Sequence, residues 1–209
     1  AYTLAERGEI LNYSGERLEQ SSTLSFVLWL ALIYKLTGWN LADIAYLSGM
    51  LFLALTIIAT YYFAKKVDER LALPAAIAGG LSPWLLYWSF SKMEVPMVAF
   101  LLVYGLLLIT NYLEQGHTHR WQWARLVIVT WLLAAARPEM PLILGALCIG
   151  LVVALWLRYI LCQPEEKAHC KPIFQRALIF SAQMLIVIAS LFAFRYLYFG
   201  QFFPQPVYA

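Results

Sequence analysis

Apolar residues fill this chain in runs of about 20, and short charged stretches separate the runs. The main runs are Leu41 to Ala64, Leu71 to Phe90, Val95 to Leu113, Trp121 to Ala136, Pro138 to Leu157 and Ala177 to Phe199. A helix rising 1.5 Å per residue needs about 20 such residues to cross a hydrocarbon core of about 30 Å, and these runs reach or nearly reach that length. Period-two alternation is absent, and an open sheet edge cannot sit in lipid, so strands are not expected. The pattern predicts an all-α fold, a polytopic transmembrane helical bundle of about six or seven membrane segments. One earlier run, Leu24 to Leu36, is short and carries Lys35, which suits a thin span, a re-entrant segment or a helix lying in the interface.

Composition agrees with this pattern. The chain is 62% hydrophobic and 13% charged, with mean hydropathy +0.69, where a soluble domain carries about 25% charged residues. A net charge of +3 is small and scattered, which excludes a nucleic-acid surface but helps to orient the helices. The loops "KKVDER", "EQGHTHRWQWAR" and "RYILCQPEEKAHCKPIFQR" hold nine of the fifteen basic residues, and they share one side if the six main runs alternate. By the positive-inside rule that side is cytoplasmic. "SKMEVP", "RPEMP" and "FRYLYFGQFFPQPVYA" then share the outer face.

The acidic segment 1–21, with Glu6, Glu9, Glu16 and Glu19 against Arg7 and Arg17, suits the same outer face, provided Leu24 to Leu36 does not cross fully. The expected organisation is part of one transmembrane domain over 1–209. It comprises an outer loop with a short helix (1–21), a short or re-entrant segment (22–40), transmembrane helices (41–199) and an outer loop (200–209). The chain opens at Ala1 with neither initiator Met nor signal peptide, and it reads as an internal piece of a larger protein.

Three polar interruptions carry candidate chemistry. At Arg137, Pro138 and Glu139, one helix can end and another begin, so that each charge complements a helix dipole. The same residues could instead line an outer-face pocket, with Arg137 binding phosphate and Glu139 contacting a sugar hydroxyl, ordering Arg137 or helping to hold a metal. In "LSPWLLYWSFSKMEVPM", Pro83 predicts a kink. Lys92 and Glu94 mark either a plain helical hairpin or a carbohydrate site approached past Trp84, Tyr87, Trp88 and Phe90. Arg195, in the last turns of its run, either snorkels to the interface or offers a second cation to a lipid phosphate.

Other signals are weak. His117 with His119, and Cys162 with His169 and Cys170, lack the spacing and companions of a metal site, and an odd count of three cysteines argues against a disulfide framework. Gly79 and Gly80 read as helix packing.

Taken in order, "AYTLAERGEILNYSGERLEQSSTLSFVLWLAL", "SKMEVPM", "RPE" and "FRYLYFGQFFPQPVYA" resemble four segments of bacterial GT-C glycosyltransferases, including that family's Ser-Gly-Leu-Glu-Thr-Pro and Arg-Pro-Glu motifs. Among these, the chain is most similar to arabinofuranosyltransferase-like and mannosyltransferase-like enzymes. The resemblance implies transfer of a sugar from a polyprenyl-phosphate donor to a cell-envelope glycan, lipid or protein acceptor, at the periplasmic face of a bacterial inner membrane.

Carried over, it makes Glu94, Arg137 and Glu139 the catalytic candidates. Arg17 and Glu19, which match a further family segment, are substrate-binding candidates, and the residues themselves add Lys92, Trp88, Arg195 and Tyr196. No metal ligands are assigned, no cofactor is identified, and a divalent cation is left open. The family's base or metal-binding aspartate would fall ahead of Ala1. Lys92 and Met93 depart from Gly-Leu, Val95 from Thr, and Gln20 and Ser21 from Gly-Tyr, which leaves the sugar and the acceptor undefined. The rival reading is a non-catalytic transporter or flippase domain for lipid-linked sugars, which should place polar groups mid-membrane in broken helices.

Overall fold

In a computed structural model of the chain, the residues described are all except 13, 18, 20–22, 116–119, 164–166 and 205–209, with backbone alone at 120, 168 and 169. Every regular element among them is helical. The order is α1 (Tyr2–Arg7), α2 (Leu24–Thr37), α3 (Leu41–Val67), α4 (Ala72–Gly80), α5 (Pro83–Phe90), α6 (Val95–Gln115), α7 (Arg120–Ala134), α8 (Met140–Leu161) and α9 (Lys167–Phe199), with one 3-10 turn at Glu69–Leu71.

Local chemistry sets the ends of these helices. Asn40 caps α3 by accepting a hydrogen bond from the Ala42 N–H at 2.8 Å, Asp43 sits in the first turn, and Lys65 and Lys66 sit in the last. Each charge thus meets the favourable end of the helix dipole. Gly38, at φ 68°, ends α2 by donating its N–H to the Tyr34 carbonyl, a left-handed position that glycine adopts without strain.

Among the described residues, four helices are long and apolar enough to cross a membrane: α3, α6, α8 and the Cys170–Phe199 part of α9. A fifth crossing results if Glu69–Gly80 and Pro83–Phe90, bent by 51°, count as one broken span. These helices turn large apolar side chains outward, as at Leu142, Ile186 and Leu197, which fits a multi-pass membrane protein.

This is fewer than the six or seven segments expected, for identifiable reasons. The run Leu71 to Phe90 breaks at Leu81 and Ser82, because Pro83 pushes Ser82 out of the helical region and then opens α5 as its first residue. The run from Trp121 yields a 15-residue α7, about 22 Å long, since Ala135 and Ala136 leave the helix to form a turn. Pro138 lies in that turn, and Pro141 occupies the first turn of α8, with Glu139 at its N-cap. The 14-residue α2 is about 21 Å long, short of a hydrocarbon core of about 30 Å.

The bundle has two chemically distinct ends. At one, Lys66 of α3 pairs with Glu114 at 3.0 Å and bonds Asn111, while Arg176 of α9 donates to the Leu113 and Glu114 carbonyls at 2.9 and 2.7 Å. These are the borders of the three basic loops, so the sorting expected from the sequence brings them together here. At the opposite end, the Ser25 N–H of α2 donates to the Ala135 carbonyl beyond α7, and the Ile10 N–H donates to the Tyr198 hydroxyl of α9.

Between the ends, Phe52, Leu101, Leu126, Val129, Met184 and Leu191 belong to the core, with the half-buried Phe100 packed against it. Within it, the Thr56 and Thr130 hydroxyls donate to the Phe52 and Leu126 carbonyls one turn back.

Candidate functional site

The end opposite the basic loops carries most of the sequence-predicted site residues, in two clusters. The first is built by helix ends. Glu94 immediately precedes α6 and is buried, and its carboxylate lies 3.9 Å from the Nε of Arg137, in the turn between α7 and α8. Arg137 Nε is also 3.0 Å from Glu139, the N-cap residue of α8. That nitrogen is inaccessible and its N–H makes no hydrogen bond, so the contacts to both carboxylates are ionic rather than directional. The Arg137 side chain is 41% exposed, which leaves part of it open to a ligand.

Three residues from 94 to 139 therefore meet where two helix N-termini begin. Carboxylates are favoured at such positions, and the cation holds the two of them together. The local net charge is −1.

The second cluster ties the N-terminal segment to α9. Arg195 is fully buried and grips Glu19 with two hydrogen bonds, from Nε at 2.9 Å and from Nη2 at 3.1 Å. Its Nη1 has no partner among the described residues. Arg195 thus does not snorkel to the interface: its guanidinium is consumed by Glu19. Burial pushes the Glu19 carboxyl above the ordinary glutamate value, and the hydrogen bonds and charge of Arg195 pull against that shift.

Arg17 pairs with Glu9 at 2.6 Å and lies 5.5 Å from the Tyr198 ring. An Asx turn, in which Asn12 accepts from the N–H groups of Ser14 and Glu16, shapes the intervening loop, with Gly15 left-handed at φ 83°. Glu19 thus meets Arg195, while the Ser25 N–H meets the Ala135 carbonyl two residues before Arg137.

The other candidates sit differently. Lys92 is exposed and takes φ 59° after α5, a left-handed conformation that favours glycine. Trp84, Tyr87 and Phe90 are exposed, Trp88 is half-buried against Tyr87, and Phe90 tilts onto Tyr46, so these rings line the surface rather than a wall around Glu94. The Ser89 and Ser91 hydroxyls are taken up by the Leu85 and Tyr87 carbonyls. Tyr196 is exposed and stacks on Phe202.

His117, His119 and the side chain of His169 lie outside the described residues, as do Gln20 and Ser21. Among the described residues no group of three His, Cys, Asp or Glu could hold a metal ion.

Two contributors were not singled out in the sequence. Tyr198 sits three residues after Arg195, a helical spacing that could have flagged it. Ser25, buried with its hydroxyl unpartnered, carried no such signal. An apolar groove also lies apart from this chemistry, between α8 and α9. The chain matches no family model, curated protein or solved structure with which it was compared.

Proposed function

We propose that this chain is the membrane part of a GT-C-like glycosyltransferase, which moves a sugar from a polyprenyl-phosphate donor to a cell-envelope acceptor. The observation that carries the reading is the meeting of Glu94 with Arg137 and Glu139. The segments "SKMEVPM" and "RPE", matched separately to the family, thereby contribute to one corner. The left-handed Lys92 adds support, since it stands where the family motif has glycine.

In the proposed reaction the bond between the sugar's anomeric carbon and the phosphate oxygen breaks, and a bond from that carbon to an acceptor oxygen forms. The acceptor proton passes to a carboxylate base, and polyprenyl phosphate leaves. Arg137 stabilises the charge developing on the leaving phosphate, while Glu94 and Glu139 orient Arg137 and bind sugar hydroxyls. The base is the aspartate that the resemblance expects ahead of Ala1. The same reading takes the broken α4–α5 pair and α7 as further membrane segments, and it puts the Arg137 corner on the periplasmic side of a bacterial inner membrane.

A transporter for lipid-linked sugars draws support from that broken pair. The break at Leu81 and Ser82 carries no charged residue, however, and the charges gather at helix ends. Sugar transfer from a radiolabelled polyprenyl-phosphate donor, measured in membranes holding the full-length protein, separates the two. Glu94→Gln and Arg137→Gln should each lower transfer by about 100-fold or more while membrane insertion is unchanged. Wild-type rates in both variants, or flipping of the donor without any transfer, would sink the enzyme reading.

A further inference from the structure

The groove between α8 and α9 has a volume of about 280 Å³ and is lined by Gly145, Cys148, Val152, Ser181, Met184 and Ile188, among others, with no polar surface. It runs along two helices that are long and apolar enough to cross a membrane, and its walls are themselves apolar. From Ser181 to Ile188 it covers about 10 Å of α9, the scale of an acyl chain segment.

Followed down α9 at helical spacing, the stripe that lines the groove continues through Leu178 and Phe174 toward Lys171 and Lys167, about 15 and 21 Å below Ser181. Phe174 stacks on Tyr159 of α8, 6.0 Å between centroids, and so floors the path with aromatic faces. Lys167 and Lys171 are exposed, and neither makes an ion pair among the described residues. The stretch from Arg158 to Arg176 holds four basic residues against Glu165 and Glu166.

We infer that this groove is a binding site for one anionic phospholipid of the leaflet at the basic end, its acyl chain against the groove and its headgroup at Lys167 and Lys171. Position and charge separate this occupant from the polyprenyl phosphate of the proposed reaction. That phosphate meets Arg137 at the other end of the bundle, whereas the foot of α9 offers two lysines that make no ion pair among the described residues.

The test uses the full-length protein in detergent, with phosphatidylglycerol and phosphatidylcholine as probes and retained lipid read by native mass spectrometry. Phosphatidylglycerol should be held preferentially, and added salt should weaken it. The double variant Lys167→Glu/Lys171→Glu should lower its affinity about ten-fold or more, and the milder Lys167→Gln/Lys171→Gln should lower it less.

Gly145→Leu adds a side chain where a Cβ meets nothing within 4 Å. It should fill the groove and expel lipid, with the melting temperature in lipid-free detergent kept or raised. Equal retention of the two probes would overturn the inference, as would indifference to the lysine variants. It would also fall if undecaprenyl phosphate displaced phosphatidylglycerol and depended on Arg137 rather than on the lysines.

Discussion

Arg195 and Glu19 lie 176 residues apart and form a buried two-point ion pair. Removing one partner from such a pair leaves a buried charge uncompensated, at a cost of about 3 to 5 kcal/mol. Arg195→Met should therefore lower stability by that amount near neutral pH and loosen the N-terminal segment from α9. The pH dependence has a definite sign. Burial raises the folded-state pKa of Glu19 above its unfolded value, and without Arg195 nothing opposes that rise. A raised folded pKa contributes stability that is full below the unfolded value and lost as pH climbs through the folded one. The variant should thus melt higher in detergent at pH 5 than at pH 8, by a wider margin than the parent protein. Melting that falls on acidification would refute this account of Glu19.

Between elements, α3 and α5 approach each other closely. A Cβ on Gly49 would overlap the Ser89 carbonyl oxygen, so the two backbones touch at this point. Ala45 and Gly49 present a small face four residues apart, the arrangement that lets membrane helices close on one another. Gly80 on α4 meets a side chain instead, where a Cβ would lie 2.8 Å from the Ile57 Cδ1, so both halves of the bent pair rest on α3. Gly49→Val should force α5 off α3 and destabilise by more than the roughly 1 to 3 kcal/mol of ordinary overpacking, because backbone cannot yield as a side chain does. Gly150→Ala on α8 meets no neighbour within 4 Å and should be neutral or stabilising by up to about 1 kcal/mol. Thermal unfolding of the two variants side by side checks the contrast, and equal effects would refute the close approach.

At the scale of the whole molecule, the basic loops gather at one end, and the Arg137 corner and the N-terminal segment gather at the other. With the native cysteines replaced by serine, Lys65→Cys and Gln163→Cys should react with an impermeant maleimide from one side of the membrane. Ser14→Cys and Gly200→Cys should react from the opposite side. The short α2 fits this parity, since its first turn bonds Ala135 and a connection of only a few residues leads to α3, which runs the full height of the bundle. Labelling of Ser14→Cys from the same side as Lys65→Cys would mean that α2 crosses.

Hydrophobic run length, with no period-two alternation to suit a barrel, determined that the chain is helical and membrane-embedded, because a helix satisfies the backbone of so many consecutive apolar residues in lipid. Loop charge sorted the ends, and single motifs named Glu94, Arg137, Glu139, Glu19 and Arg195 without their partners. Run length could not reveal the break at Ser82 or the early stop of α7. Those follow from the backbone bias before Pro83 and from a turn at Ala135 and Ala136, which hydropathy reads as more helix. Only the tertiary structure decided which charges are engaged. Arg195 and Arg137 look alike as cations near helix ends, yet packing buries the first against Glu19 and leaves the second partly open between two carboxylates. The difference arises from contacts across most of the chain, which no local pattern encodes.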